Sequence, residues 1–128
     1  MNICTTAKSY VTPTGRVWKI EFVPPDSDNL IAHDRRCIGT TNYKSHTIYL
    51  SNTLVGAELY STLCHEMSHA CLYDTQIKQE ETYDEEYLCD FMGMYGDHII
   101  TTAHHIIDAY MEMQNKGLIE ERCEMQTI

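Results

Sequence analysis

Apolar residues after residue 53 recur at three- and four-residue steps, and this spacing predicts a helix of about 20 residues. The residues that set the pattern are Leu54, Val55, Leu59, Leu63, Met67, Ala70 and Cys71. A stripe of this kind lies on one face of an amphipathic helix that packs on a core. Ser51 or Asn52 is available to cap its N-terminus.

Before this helix, β-branched and aromatic residues are grouped in short runs that predict strands. The predicted strands are residues 16–23, 35–41 and 46–50. Pro24 and Pro25 end the first strand, and residues 26–33 are interpreted as a loop or a short helical turn. The turn-like residues 42–45 separate the other two strands, which we therefore expect to form an antiparallel hairpin.

Two further helical patterns follow. One runs from Tyr83 to about Tyr95, with Gly96 as its C-cap, and the other runs from Ile99 to Gly117, before a polar tail that is expected to fray. The pattern predicts an α+β fold in which a short antiparallel sheet packs against one helix and two further helices follow. A chain of 128 residues suits one domain, with its core at about 15–117.

Composition and charge narrow the class of protein. Hydrophobic residues make up 43% and charged residues 22%, as in ordinary folded domains. The net charge of −10 predicts repulsion from nucleic acid and anionic lipid. The N-terminus lacks a signal-peptide pattern, and no stretch approaches the roughly 20 apolar residues of a membrane helix, so the expectation is a cytoplasmic protein without a membrane partner.

Six cysteines are present, and we expect them to be free thiols. Cys64, Cys71 and Cys89 fall within predicted helices, where a reduced cysteine behaves as a small apolar residue. No Cys-x-x-Cys pair occurs, so the sequence gives no support for a four-cysteine zinc site.

The first predicted helix carries His65-Glu66-Met67-Ser68-His69. Residues four apart share a helix face, so both histidines can direct a ring nitrogen at one zinc ion about 2.0–2.1 Å away. Glu66 then lies beside the ion, where its carboxylate can take a proton from a water molecule as the catalytic general base. The spacing therefore predicts a Zn²⁺ cofactor bound by His65 and His69.

A third ligand is expected from the second helix, because catalytic zinc sites commonly use three protein ligands. Thr82 and Glu85 have the spacing of a capping box, which would occupy Glu85 at the helix start. Glu86 and Asp90 are then an i, i+4 pair on one face. We expect Glu86 to bind zinc and Asp90 to accept the free N–H of a ligand histidine.

The run from His65 to His69, followed by Glu86 and Asp90 on the next helix, resembles the gluzincin arrangement of thermolysin-like peptidases. Residues 37–95 are more closely similar to small phage and mobile-element metallopeptidase-like proteins related to the ImmA/IrrE group. The similarity lies in the segments 37–43, 48–50 and 62–73. It implies a minimal gluzincin core with a zinc ion, and hydrolysis of peptide bonds in a protein or peptide substrate. Tyr83, Tyr95 and His98 are guesses for the oxyanion donor.

Other zinc sites fit less well. A metzincin would need a glycine and a third histidine where Leu72 and Thr75 stand, and a deformylase-like site would have to use Cys37. A SprT-like site would take a later histidine, for which His98 is the nearest option, and we rank it behind Glu86.

Two more interpretations concern the remaining histidines and the role of the metal. The adjacent pair 104–105 points about 100° apart on a helix and is interpreted as surface histidines.

The alternative function is a non-catalytic zinc protein that acts by binding a partner protein. Glu66 distinguishes the two, because a structural zinc ion needs no general base.

Overall fold

The structure is a computed structural model that describes residues 8–75 and 85–127, with the backbone alone for 85–87, 90 and 117–127. Its elements, in chain order, are β1 (Ser9–Val11), β2 (Val17–Val23), a 3-10 helix (Asp28–Leu30), β3 (Ile31–Ala32), β4 (Arg35–Arg36), β5 (Gly39–Asn42), β6 (Thr47–Ser51), α1 (Gly56–Thr75) and α2 (Glu85–Thr127). This content confirms the predicted α+β class.

The main sheet has four strands in the order β1-β2-β6-β5. β5 and β6 form the predicted antiparallel hairpin, and β1 pairs with β2 in the same sense. β2 and β6 are parallel, which the sequence pattern did not predict. After β2 the chain forms the β3–β4 pair and then β5. It next forms β6, which lies between β2 and β5 in the sheet. β5 is therefore left at one edge.

Two short strands depart from the prediction. The predicted strand 35–41 is divided into β4 and β5, which belong to different sheets. β1 was missed because its three residues are too few to show a period. A turn joins β1 to β2, in which the N–H of Gly15 donates to the carbonyl of Thr12 at 2.8 Å. Gly15 has a φ of +92°, which a residue without a Cβ adopts easily.

The core lies between one face of the sheet and the two helices. The sheet contributes buried residues that include Tyr10, Trp18, Ile20, Ile48 and Leu50. α1 contributes Leu59, Leu63, Met67, Ala70 and Cys71, all of which the helical pattern predicted. Val55 is the exception: it precedes α1 and is 74% exposed. The Ser51 hydroxyl accepts the N–H of Thr53, so it stabilises the turn before α1.

The two later helices that the sequence predicted are one continuous helix, α2. Gly96 was predicted to end a helix, but it lies inside α2 and is buried. The buried positions of α2 (Phe91, Ile99, Ala103, Ile106, Tyr110) keep the helical period across it. Packing of this face offsets the roughly 1 kcal/mol that a helical glycine costs. The predicted cap Thr82 lies outside the described residues.

The end of α2 also differs from the prediction, because the helix continues to Thr127 where a frayed tail was expected. In residues 8–75 and 85–127, neither helix is apolar enough over a sufficient length to cross a bilayer.

Candidate metal centre and active site

α1 presents His65 and His69 together on its outer face. Their Nε2 atoms lie 3.2 Å apart, and the ring planes are inclined at 77°. Two nitrogens bound to a tetrahedral zinc ion at about 2.0–2.1 Å would lie about 3.3–3.4 Å from each other. The two rings therefore already have the separation that a shared ion requires. The same distance allows a hydrogen bond between them when one Nε2 carries a proton.

Both histidines are exposed to solvent, and the His65 side chain is 67% exposed. Partial burial of its ring lowers the pKa of His69, the nearby Glu66 carboxylate raises it, and His65 lowers it further. The net direction favours the neutral ring, which is the form that binds a metal ion.

Glu66 is buried, with only 6% of its surface exposed. It is turned about 100° around the helix from His65, so it faces β5. The Thr41 hydroxyl donates to its Oε1 at 2.7 Å, while its Oε2 lies 4.0 Å from His65 Nε2. One oxygen is thus held by the sheet and the other lies toward the histidines. The role of Glu66 as the general base stays a prediction.

The close contact between β5 and α1 depends on Gly39. A Cβ atom at this position would meet Cγ2 of Thr62 at 2.8 Å and Cγ of Glu66 at 3.2 Å. Because alternate residues of a strand share a face, Gly39 and Thr41 both face α1. A larger residue at 39 would push the strand away from Glu66.

A cleft of about 410 Å³ opens beside these residues. It is lined by Cys37, Ile38, Gly39, Ser61, Thr62, His65 and Glu66. A larger cavity of about 620 Å³ lies between β2 and α2, where Phe22 and Tyr110 line it. The smaller cleft is the one that contains His65 and the Glu66 carboxylate.

Comparison with known proteins finds one family model that is similar to part of the chain. Residues 27–89 match the SprT-like family. The match is to just under half of the chain, and it supports a minimal zincin-type metallopeptidase. Neither the curated proteins nor the solved structures contain a significant match to this chain.

The SprT-like match begins just before the 3-10 helix and ends within the first turns of α2. It therefore includes the whole of β5 and α1, with Thr41, His65, Glu66 and His69. The sequence analysis ranked a SprT-like site behind a gluzincin-like one, and the comparison favours the branch that was ranked second. The resemblance to the ImmA/IrrE group stays a prediction.

A SprT-like site would use His98 of α2 as its third ligand, but His98 contacts a residue of β1. His98 Nε2 shares a hydrogen bond of 2.9 Å with the Tyr10 hydroxyl, and the two rings lie 5.6 Å apart. Burial lowers the pKa of His98, and Asp97 acts in the opposite direction. His98 therefore joins α2 to β1 through this bond.

Glu86 and Asp90 lie at the start of α2, and their side chains are outside the described residues. Among the side chains that the structure describes, no group of three or more metal-binding residues is found. The third ligand therefore stays a prediction.

The other candidates have separate positions. Cys37 lines the cleft, and its thiol donates to the Arg35 carbonyl at 3.5 Å. Tyr95 packs against Phe91 with ring centroids 5.8 Å apart, and Tyr83 lies outside the described residues. An oxyanion role is therefore not assigned to either tyrosine.

Two predictions about side-chain exposure have clear outcomes. The adjacent histidines 104 and 105 are exposed, as predicted, and His104 contacts the ring of Tyr60 at 4.7 Å. The four cysteines with described side chains are free thiols. Cys71 is buried and Cys64 is half-buried, but Cys89 is exposed, contrary to the expectation for a helical cysteine.

Sequence reasoning missed Gly39 and Thr41 as parts of the site. The available signal was weak: they are two residues apart in a predicted strand, which places them on one face. Nothing in the sequence showed that this face lies against Glu66.

Proposed function

We propose that this protein is a zinc-dependent metallopeptidase in which His65 and His69 bind the ion and Glu66 is the general base. The observation that carries the proposal is the convergence of the two Nε2 atoms, 3.2 Å apart, beside a buried carboxylate that the sheet holds in place. The SprT-like match supports the same class of protein.

The roles of the residues follow from their positions. A zinc ion bound here would polarise the carbonyl of the scissile peptide bond and make the attacking water more acidic. Glu66 takes a proton from that water through Oε2 and passes it to the leaving amine. Thr41 keeps Oε1 on the sheet side, so that the carboxylate does not rotate away.

The substrate is a peptide in extended form. β5 pairs with β6 on one side only and is an edge of the described sheet. An edge strand can bind an extended peptide through its backbone N–H and C=O groups. A peptide added beside β5 would pass the cleft that His65 and Glu66 line.

For the third ligand we propose Glu86, with Asp90 accepting the N–H of a ligand histidine. The engagement of His98 with Tyr10 favours Glu86 over the histidine alternative. This ligand set is gluzincin-like, although the family match is SprT-like, and a direct test is therefore needed. Ligation by Glu86 requires the first turns of α2 to approach the outer face of α1.

The decisive experiment for catalysis is Glu66→Gln. The zinc-loaded variant should keep its zinc content and lose hydrolysis of a peptide library by a factor on the order of 10²–10⁴. Cleavage by this variant at the wild-type rate would refute the role of Glu66. Absence of cleavage by the zinc-loaded wild type would refute the proposed activity itself.

The matched pair Glu86→Ala and Glu85→Ala tests the third ligand. Elemental analysis should show loss of zinc in the first variant and normal zinc in the second. The reverse result would assign Glu85 instead. Loss of zinc in a His98→Ala protein, with both glutamates dispensable, would assign the site to the SprT-like histidine pattern.

A purely structural zinc site that supports partner binding is the competing function. The burial of Glu66 beside the exposed His65 argues against it, because burying a carboxylate costs free energy and a structural site has no use for it.

A further inference from the structure

Two partly exposed tyrosines meet where the last turn of α1 lies beside the turn that follows β5. The rings of Tyr43 and Tyr73 lie 4.9 Å apart and are tilted by 39°. Tyr43 is 39% exposed and Tyr73 is 44% exposed. Together they present aromatic surface to solvent, on a face that also carries the proposed site.

The two tyrosine rings pack against the same buried residue. Trp18 is fully buried, and its ring meets Tyr43 at 6.1 Å and Tyr73 at 6.0 Å, edge to face in both cases. Its Nε1 donates to Oδ2 of Asp74 at 2.7 Å, and Oδ1 of Asp74 lies 3.3 Å from Nε of Arg16. Trp18 and Asp74 therefore hold the two tyrosines in place before a ligand binds. This preorganisation lowers the entropic cost of binding.

The tyrosine pair is continuous with the proposed active site. Tyr73 lies one helical turn after His69, on the same side of α1. Tyr43 is two residues after Thr41, which contacts Glu66, and it is the first residue of the turn that follows β5. The tyrosine pair therefore lies just beyond the Asn42 end of β5, while the start of that strand lines the cleft beside Glu66.

We propose that Tyr43 and Tyr73 form a binding site for an aromatic or large apolar side chain of the peptide substrate, near the scissile bond. This inference rests on the proposed peptidase function. A peptide that runs beside β5 past Thr41 reaches the tyrosine pair just beyond the end of the strand.

The charges near the tyrosine pair disfavour a basic side chain. Lys44 is exposed next to Tyr43 and would repel a lysine or arginine of the substrate. Arg16 and the buried Asp74 carboxylate pair with each other, so Asp74 does not attract a substrate cation. A third ring can instead pack against the exposed edges of the two tyrosines.

The first test is a profile of cleavage positions. Zinc-loaded wild type should cut a random peptide library with an aromatic or large apolar residue enriched at one fixed position relative to the cut. Tyr73→Ala should lower kcat/KM for a phenylalanine peptide roughly tenfold, mainly through KM, and leave the alanine peptide unchanged. Tyr73→Phe should retain the preference, because the ring is kept.

Tyr60→Ala is the matched control, since the Tyr60 ring packs against His104 of α2 and so lies on the α2 side of α1. It should leave the preference intact. Equal preference for alanine or arginine at the fixed position in the wild type would overturn the inference while leaving the peptidase function standing.

A binding measurement decides the inference even when no peptide is cut. Labelled alanine-based peptides that carry a single phenylalanine or arginine are titrated into zinc-loaded Glu66→Gln protein. Trp18, the single tryptophan, reports on the site through its fluorescence. Tighter binding of the phenylalanine peptide, lost in the additional Tyr73→Ala variant, supports the site. Equal binding of both peptides overturns it.

Discussion

The Thr41 hydroxyl donates a hydrogen bond of 2.7 Å to Oε1 of Glu66, and this bond connects the edge strand to the proposed general base. The two residues are far apart in the sequence, so the bond exists only because β5 packs against α1. It leaves Oε2 on the side of His65, 4.0 Å from Nε2. The orientation of the carboxylate is therefore set by a residue that takes no direct part in the chemistry.

Thr41→Val tests this positioning role. Valine has nearly the same shape but no hydroxyl, so Glu66 loses its partner and its carboxylate can rotate. We expect kcat to fall about tenfold with little change in KM and with normal zinc content. Thr41→Ser keeps a hydroxyl and should recover most of the rate. A valine variant with the wild-type kcat would show that Glu66 needs no such partner.

Gly39→Ala should weaken the contact between β5 and α1. The new Cβ would meet Thr62 at 2.8 Å, and relieving this clash should cost about 1–3 kcal/mol of unfolding free energy. Gly93→Ala is the control, because Gly93 lies within α2 and a Cβ there meets nothing within 4 Å. That variant should be more stable by about 0.4–1 kcal/mol. Urea denaturation measures both, and equal stability of the two variants would contradict the close approach at Gly39.

Asp74→Ala should destabilise the core around Trp18. The indole N–H would lose its acceptor at 2.7 Å in a fully buried position, at a cost of about 1–3 kcal/mol. Thermal unfolding should show the loss, and the tryptophan emission should shift as water reaches the ring. Asp108→Ala, at an exposed position of α2, should leave both properties unchanged. An unchanged melting temperature in Asp74→Ala would mean that the indole finds another acceptor.

The lowered pKa of His98 predicts that the free energy of unfolding falls at mildly acidic pH. Burial lowers its pKa below the value of about 6.5 that it has in the unfolded chain, although Asp97 partly opposes this. As the pH falls below about 6.5, the unfolded chain takes up a proton first, so the folded state loses relative stability until the pH reaches the lowered pKa. Other groups titrate in the same range, so the measurement compares the protein with His98→Gln.

The slope of unfolding free energy against pH between 7 and 5 should be smaller in His98→Gln than in the wild type. Glutamine can still bond to the Tyr10 hydroxyl, so the contact at 2.9 Å need not be lost. Identical slopes would show that His98 has the same pKa in both states.

Some features followed from the sequence because they depend on residues that are close together in the chain. The helical period fixed which face of α1 is buried, and the four-residue spacing of His65 and His69 fixed their convergence on one side of that helix. The β5–β6 hairpin was predictable for the same reason, since a short turn joins its strands.

Tertiary structure decided the rest. The parallel pairing of β2 with β6, the approach of Gly39 and Thr41 to Glu66, and the bond between Tyr10 and His98 each join residues distant in sequence, and no local pattern encodes such partners. The continuity of α2 through Gly96 has the same origin, because packing of its buried face outweighs the local preference of glycine to end a helix. Local spacing placed two histidines on one side of α1 with a carboxylate beside them. The fold decided how that carboxylate is held and which edge of the sheet runs past it.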